Sequence, residues 1–163
     1  MPNIERFEKA FLGAAAIVLV IFLGALAYSS LAMGIHLPSH FGMIHYTADQ
    51  KLRKVLRKTP PFDHPGVREV APGKYQAVVI GLTWSFLPDL IELPAGADVT
   101  FVATSMDVIH GFFIAGTRVN MMLIPGQVSE FNYRFRKPGE YLLICHEYCG
   151  RLHHTMSAKV VVK

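Results

Sequence analysis

Long apolar runs are scarce in this chain. One stretch, residues 11–35, carries almost the whole of a mean hydropathy of +0.33, and the remainder of the 163 residues averages close to zero. A channel with several spans is thereby excluded. Low complexity is lacking too: with 52% hydrophobic residues, 13 glycines and 10 prolines in no repeating order, the chain is neither disordered nor collagen-like. The length leaves room beside the apolar stretch for one domain of about 100 to 150 residues, enough for a single core but not two. Acidic residues and interleaved aromatics are both missing from the run Lys51, Arg53, Lys54, Arg57 and Lys58. It reads as a solvated basic turn near lipid headgroups, with no nucleic-acid partner. That run holds much of the net charge of +4, all of which lies in residues 1–75. Residues 76–163 are neutral.

Charge and proline are also absent from Phe11 to Ile35. As a helix the segment is about 37 Å long, sufficient to cross a hydrocarbon layer of about 30 Å with some tilt. A cleaved signal peptide competes, because Ala25-Leu26-Ala27 follows an apolar stretch and Arg6 and Lys9. The apolar character continues through Tyr28, Leu31, Met33 and Ile35, which favours a retained transmembrane anchor. Cations on both sides leave its orientation open. Glu5 and Glu8 stand at its entrance, where a solvated first-turn acid is favoured by the helix dipole.

The expected organisation is an anchor over 1–36, a linker over 37–75 and a globular domain over 76–163. Five prolines, Pro38, Pro60, Pro61, Pro65 and Pro72, break the linker, and only Thr47 to Arg57 has the pattern of a short helix. The histidines at and after the anchor's end, His36, His40, His45 and His64, have neither cysteine nor clustered carboxylate beside them and read as exposed linker residues. From Gln76 the pattern turns to short apolar or alternating runs: 76–82, 91–93, 99–103, 110–114, 119–124, 129–135, 141–145 and 158–162. Turns such as Pro94-Ala95-Gly96, Pro125-Gly126 and Pro138-Gly139 punctuate them. Long helical periodicity is absent, so the fold expected is mainly β, a small antiparallel Greek-key sandwich or barrel behind one helix.

Cysteine is the scarcest chemistry-bearing residue, and both copies, Cys145 and Cys149, lie in Cys-His-Glu-Tyr-Cys-Gly-Arg-Leu-His-His-Thr-Met, between the last two expected strands. Two thiols, three imidazoles and a thioether within twelve residues suit copper or zinc rather than magnesium or calcium. A disulfide would leave the histidines and methionine without a role. Zinc needs no methionine. A catalytic cysteine wants one activated thiol and a base. A mononuclear blue-copper site takes one Cys, two His and a weak Met, and here there is one Cys more. Two thiolates in one loop can instead bridge two copper ions, which calls for a further histidine; Asp107-Val108-Ile109-His110 at the start of a strand offers one.

The loop C-x-E-x-C-G-x-x-H-x-x-M and the upstream D-V-I-H resemble the dinuclear CuA centre of cytochrome c oxidase subunit II, whose domain is a cupredoxin-like sandwich. The resemblance implies Cys145 and Cys149 as bridging thiolates, His110 and His153 as terminal ligands, Met156 as a weak sulfur ligand and Glu147 as a backbone carbonyl ligand. His146 and His154 fall outside the ligand positions. A single anchor preceded by Phe7-Glu8-Lys9, and Trp84-Ser85-Phe86-Leu87-Pro88 leading to Ile91-Glu92-Leu93-Pro94, are similar to the single-helix subunit II of B-family (ba-type) oxidases. There the glutamate at the position of Glu8 marks a proton entrance. Glu147 is the acid of A-family members, which implies Mg²⁺ at a subunit interface through its side chain. Trp84 and Phe86 are the implied electron-entry candidates, with core packing as the plain alternative for both. The function implied is electron entry from cytochrome c or a small copper protein to a haem-bearing subunit I that reduces oxygen to water. The chain itself would be a membrane subunit, its domain on the periplasmic or outer face. A CuA-bearing nitric-oxide reductase subunit and a tethered copper-delivery protein are the alternatives.

Overall fold

The computed structural model describes residues 3–33, 39–45 and 51–163. The chain divides into two compact units, Met1–Leu37 and Pro38–Lys163.

The first unit is one helix, α1 (Asn3–Leu31), with Glu5 in its first turn and an ion pair of 2.8 Å between Lys9 and Glu5 one turn apart. From Glu5 to Leu31 it is long and apolar enough to cross a membrane, and its large side chains, Phe11, Val18 and Phe22 among them, are exposed. A helix apolar on all sides has no solvated face to turn to water. Together with the family relationship reported below, it makes the chain a membrane protein.

The second unit is a two-sheet sandwich. In chain order it contains β1 (Ser39–Met43), α2 (Leu52–Leu56), β2 (Gly66–Ala71), β3 (Lys74–Leu82), β4 (Ser85–Leu87), β5 (Leu90–Leu93), β6 (Asp98–Ser105), β7 (His110–Ile114), β8 (Asn120–Leu123), β9 (Gln127–Arg134), β10 (Gly139–Ile144) and β11 (Ser157–Val162). One sheet has the order β1-β9-β6-β3-β2, with β4 also on β3; the other runs β5-β11-β10-β7-β8. The sheets are mixed where antiparallel ones were expected. β3 pairs parallel with β6, and β5 parallel with β11. Both parallel pairs join strands distant in sequence, so no local turn signal could announce them.

The inner faces of the two sheets share one core. Phe112 packs on Phe86 and Phe101 with ring centroids 5.9 and 5.7 Å apart, and Phe101 continues to Phe135 at 6.2 Å. Cys145, Cys149 and Met156 belong to the same cluster, so the sulfur-rich loop is rooted in the core.

A second cluster lies on the outer face of the first sheet. There Val78 and Ile80 of β3 and Val102 of β6 are covered by Ile44, Leu52, Leu56 and Phe62. The stretch expected as a linker therefore packs. It supplies β1, which pairs with β9, β2, which pairs with β3, and the amphipathic turn α2, whose Leu52 and Leu56 are buried while Arg53 and Lys54 face outward. The reason is visible in β3: Ala77 to Ile80 are all buried, a continuous apolar run with both faces occupied. Residues 47–50 of the expected helix, and His36, lie outside the described residues. His45 and His64 are exposed.

Candidate metal centre

Two segments converge at one end of the sandwich. His110 opens β7, and the loop 145–156 joins β10 to β11, whose register closes at Ile144 opposite Ser157. The loop keeps its shape through its own backbone. Cys145 N–H donates to Met156 O at 3.2 Å, Met156 N–H to His153 O at 3.1 Å and His153 N–H to Gly150 O at 3.1 Å. His153 to Thr155 form a single 3-10 turn.

Inside this frame the sulfur atoms of Cys145 and Cys149 lie 3.9 Å apart. That is about twice a disulfide bond, and both cysteines are free. Cys145 Sγ is 3.9 Å from His110 Nδ1 and 3.2 Å from the carbonyl oxygen of Glu147. Cys149 Sγ is 3.5 Å from His153 Nδ1 and 3.7 Å from Met156 Sδ. The groups of His110, Cys145 and Cys149 that could hold a metal lie within 4.8 Å of one another. All six residues singled out in the sequence thus meet, five by side chain and Glu147 by its backbone. Two thiols, two imidazole nitrogens, a thioether and a carbonyl around one point fit a thiophilic cation such as copper, and they leave a hard ion poorly served.

Electrostatics agree with a site made for a cation. Burial, the adjacent Cys145 and the contact between the two sulfurs push the Cys149 thiol up from 9.0 to about 11. A thiol that resists ionising alone gives up its proton when a cation arrives. His110 is fully buried, and its Nε2 lies 2.8 Å from Asp107 Oδ1. Asp107 also accepts from the backbone N–H of Thr83 at 2.6 Å and of Val108 at 2.7 Å, and from the Thr83 hydroxyl. Burial raises its carboxyl, but these hydrogen bonds together outweigh burial and hold it below its ordinary 3.8.

The remaining sequence candidates lie outside the cluster. Phe86 is only 2% exposed and belongs to the core. Trp84 is half-buried against Gly150. Glu8 is exposed on α1, and the Glu147 carboxylate points away to His146 Nδ1 at 3.5 Å.

Sequence reasoning missed four residues at the site. Thr83 and Asp107 hold His110, and Gly111 and Gly150 make room. A Cβ on Gly111 would sit 2.5 Å from the backbone nitrogen and ring of His146, and Gly111 N–H points to Cys145 Sγ at 3.4 Å. Of these, Asp107 and Gly150 stand in the two motifs quoted from the sequence, though without a role assigned to either.

Residues 83–163 match the family model described as cytochrome c oxidase subunit II, periplasmic domain. A cytochrome c oxidase subunit 2 from Thermus thermophilus is 35% identical over 166 residues, covering 98% of this chain and 94% of the relative. A second one from that species is 41% identical over 110 residues, 66% of this chain and 82% of the relative. Among solved structures, a chain of a haem-copper terminal oxidase dimer matches with a TM-score of 0.74 at 30% identity, covering 96% of this chain and 99% of that one. Likeness at this level runs through the anchor, the packed connector and the sulfur-rich loop alike, and the chain belongs to the cytochrome c oxidase subunit II family.

Proposed function

We propose that the cluster is a dinuclear copper centre of the CuA type. Cys145 and Cys149 would bridge the two coppers, His110 and His153 would each end one side, and Met156 and the Glu147 carbonyl would be the weak ligands. The observation that carries this reading is the pair of unbonded thiols 3.9 Å apart, each flanked by its own imidazole nitrogen and a weaker donor. When bound, such a pair supplies one-electron acceptance and release with the charge shared between two metals.

The chain's own residues supply the rest. Asp107 fixes the ring of His110, Gly111 N–H bears on Cys145, and the Phe112, Met121 and Leu143 side of the core packs behind the loop. A frame of strands and buried rings keeps the donors in place when the charge changes, so little reorganisation is needed.

As a subunit II, the chain is the electron-entry subunit of a haem-copper oxidase and associates with its haem-bearing complex. The finer assignments are part of the proposal. The donor is cytochrome c or a small copper protein, docking near Trp84, which reaches the surface where Phe86 does not. Electrons pass on to haem in subunit I, and this subunit alone reduces no oxygen. The anchor over 1–36 lies in lipid with the copper domain on the periplasmic or outer side, in keeping with the description of the matching family model. Glu8 serves proton entry, and the exposed Glu147 carboxylate reaches Mg²⁺ at the subunit interface.

Electron paramagnetic resonance of the copper-loaded chain tests the centre. Two coppers per chain with a delocalised seven-line pattern support it. One copper with a localised four-line spectrum, or one silent Cu(I) as in a delivery protein, would refute it.

A further inference from the structure

One surface dipeptide touches both halves of the cluster. We propose that the turn Thr83-Trp84 between β3 and β4 is a positioning clasp: Thr83 sets His110 through Asp107, and Trp84 sets Cys149 through Gly150. The inference rests on the copper reading of the cluster for its consequence, though not for its geometry.

The Thr83 half works through acceptor geometry. The backbone N–H and the hydroxyl of Thr83 both donate to Asp107 Oδ2, which leaves Oδ1 to the N–H of Val108 and to His110 Nε2. Ser105 anchors the same turn, its hydroxyl donating to Val108 O and accepting from Asp107 N–H at 3.2 Å. An ionised carboxylate only accepts, so His110 must carry its hydrogen on Nε2 and present the bare lone pair of Nδ1 toward Cys145. The ligating tautomer is thus set by protein atoms before any metal arrives. Without the Thr83 hydroxyl the carboxylate is held only by the backbone N–H groups of residues 83 and 108, and its grip on the ring that it orients loosens.

The Trp84 half works through contact. Trp84 has φ of +88°, and among the described residues no other non-glycine residue has a positive φ. A side chain in that region is strained and persists where its surroundings over-determine it. What holds it is visible: Trp84 N–H closes the turn onto Leu82 O at 2.8 Å, and the indole stands beside Gly150. A Cβ on Gly150 would stand 3.1 Å from Nε1 and 3.6 Å from Cε2 and Cζ2. The indole N–H is buried without a hydrogen-bond partner among the described residues, a cost that a plain hydrocarbon ring would avoid. Both penalties fall on one residue, and its outer ring edge bears on the backbone that follows Cys149 and whose carbonyl receives His153 N–H.

The test uses the full-length chain with Thr83→Val, Thr83→Ser, Asp107→Asn and Trp84→Phe. Nitrogen-15 magnetic resonance of the copper-free chain reads the His110 tautomer, and transfer of copper to an excess of chelator reads how well the loaded cluster is held. The clasp predicts Nε2–H in the wild type, with protonation shifted toward Nδ1 in Asp107→Asn. It predicts about tenfold faster copper loss in Asp107→Asn and Thr83→Val, the scale on which ligand-orienting partners act. Thr83→Ser, which keeps both donors, should restore the wild-type rate. Trp84→Phe removes the very atoms that face Gly150 and also the orphan N–H. It should therefore lose copper faster while its urea midpoint holds or rises, a split that a merely structural role would not give. The Thr83 half is overturned if Asp107→Asn leaves the tautomer unchanged, or if Val and Ser at position 83 behave alike. The Trp84 half is overturned if Trp84→Phe holds copper as the wild type does. A wild-type chain that takes up no copper yet carries Nε2–H sinks the copper reading and not the histidine positioning, which the copper-free measurement decides alone.

Discussion

At the scale of single residues, the cluster is governed by two thiols that dislike being ionised together. Cys149 is raised to about 11 from 9.0, chiefly by burial. The folded, metal-free chain therefore binds its proton more tightly than the unfolded chain does. The neutral thiol's contribution to stability is present in full below pH 9.0 and is lost as pH rises toward about 11. Urea midpoints of metal-free protein should fall across that window, and Cys149→Ser should flatten the fall; an unchanged slope in the variant would assign the effect elsewhere. Copper must displace the same proton, so its apparent affinity should climb with pH below that value. In the loaded protein Cys149→Ser should also abolish the seven-line pattern, and its survival would remove Cys149 from the bridge. The six residues of the cluster were legible in the sequence as a group because five of them fall in one loop, where local spacing is spatial spacing. The roles of Thr83 and Gly150 were not legible, although Gly150 stands in the loop motif itself. Their roles exist only because β3 ends beside the loop, and nothing in a threonine or a glycine announces that meeting.

At the scale of elements, β3 organises the molecule. Ala77 and Val79 face the core between the sheets, and Val78 and Ile80 face the cover formed by Ile44, Leu52, Leu56 and Phe62. The sequence showed the apolar run of β3 and the punctuation of the later strands, and those strands appear within a few residues of their expected places. The connector was harder to read. Prolines and a basic run signal a solvated linker, while the four apolar side chains that seal the outer face are spread over nineteen positions with no period. The uninterrupted run in β3 was the available clue, since a strand apolar on both faces needs something on each. Phe62 is 2% exposed in that cover. Phe62→Ala should cost about 3–5 kcal/mol, the usual range for a buried phenylalanine. Chemical denaturation measures it. The copper spectrum of the folded fraction should be unchanged, because the cover packs on the face of β3 turned away from the core that holds Cys145 and Cys149. A disturbed spectrum would show that the two clusters are coupled through the strand.

At the scale of the whole molecule, the two compact units divide the physical labour. The first holds the apolar excess and no net charge, with Arg6 and Lys9 against Glu5 and Glu8, while the whole net charge of +4 falls in the second, on its packed connector 38–75 and not on residues 76–163 that carry the cluster. Residues 76–163 around the cluster are neutral and add no net field with which to steer an oxidase partner or a donor. Association of this face with the haem-bearing subunit draws on short-range contacts and on tethering. A short tether commonly supplies an effective concentration of about millimolar, far above that of a free protein in dilute solution. Residues 38–163 form their own compact unit with the cluster inside it. Cut before Pro38, that unit should keep its copper spectrum and accept electrons from a soluble donor. Added to membranes whose oxidase lacks subunit II, it should support oxygen uptake only as its concentration approaches the tethered value. The full-length chain in the same membranes should need no such excess. Oxygen uptake restored in full by micromolar amounts of the cut chain would mean that the copper domain docks by its own surface, and that the anchor contributes nothing to delivery.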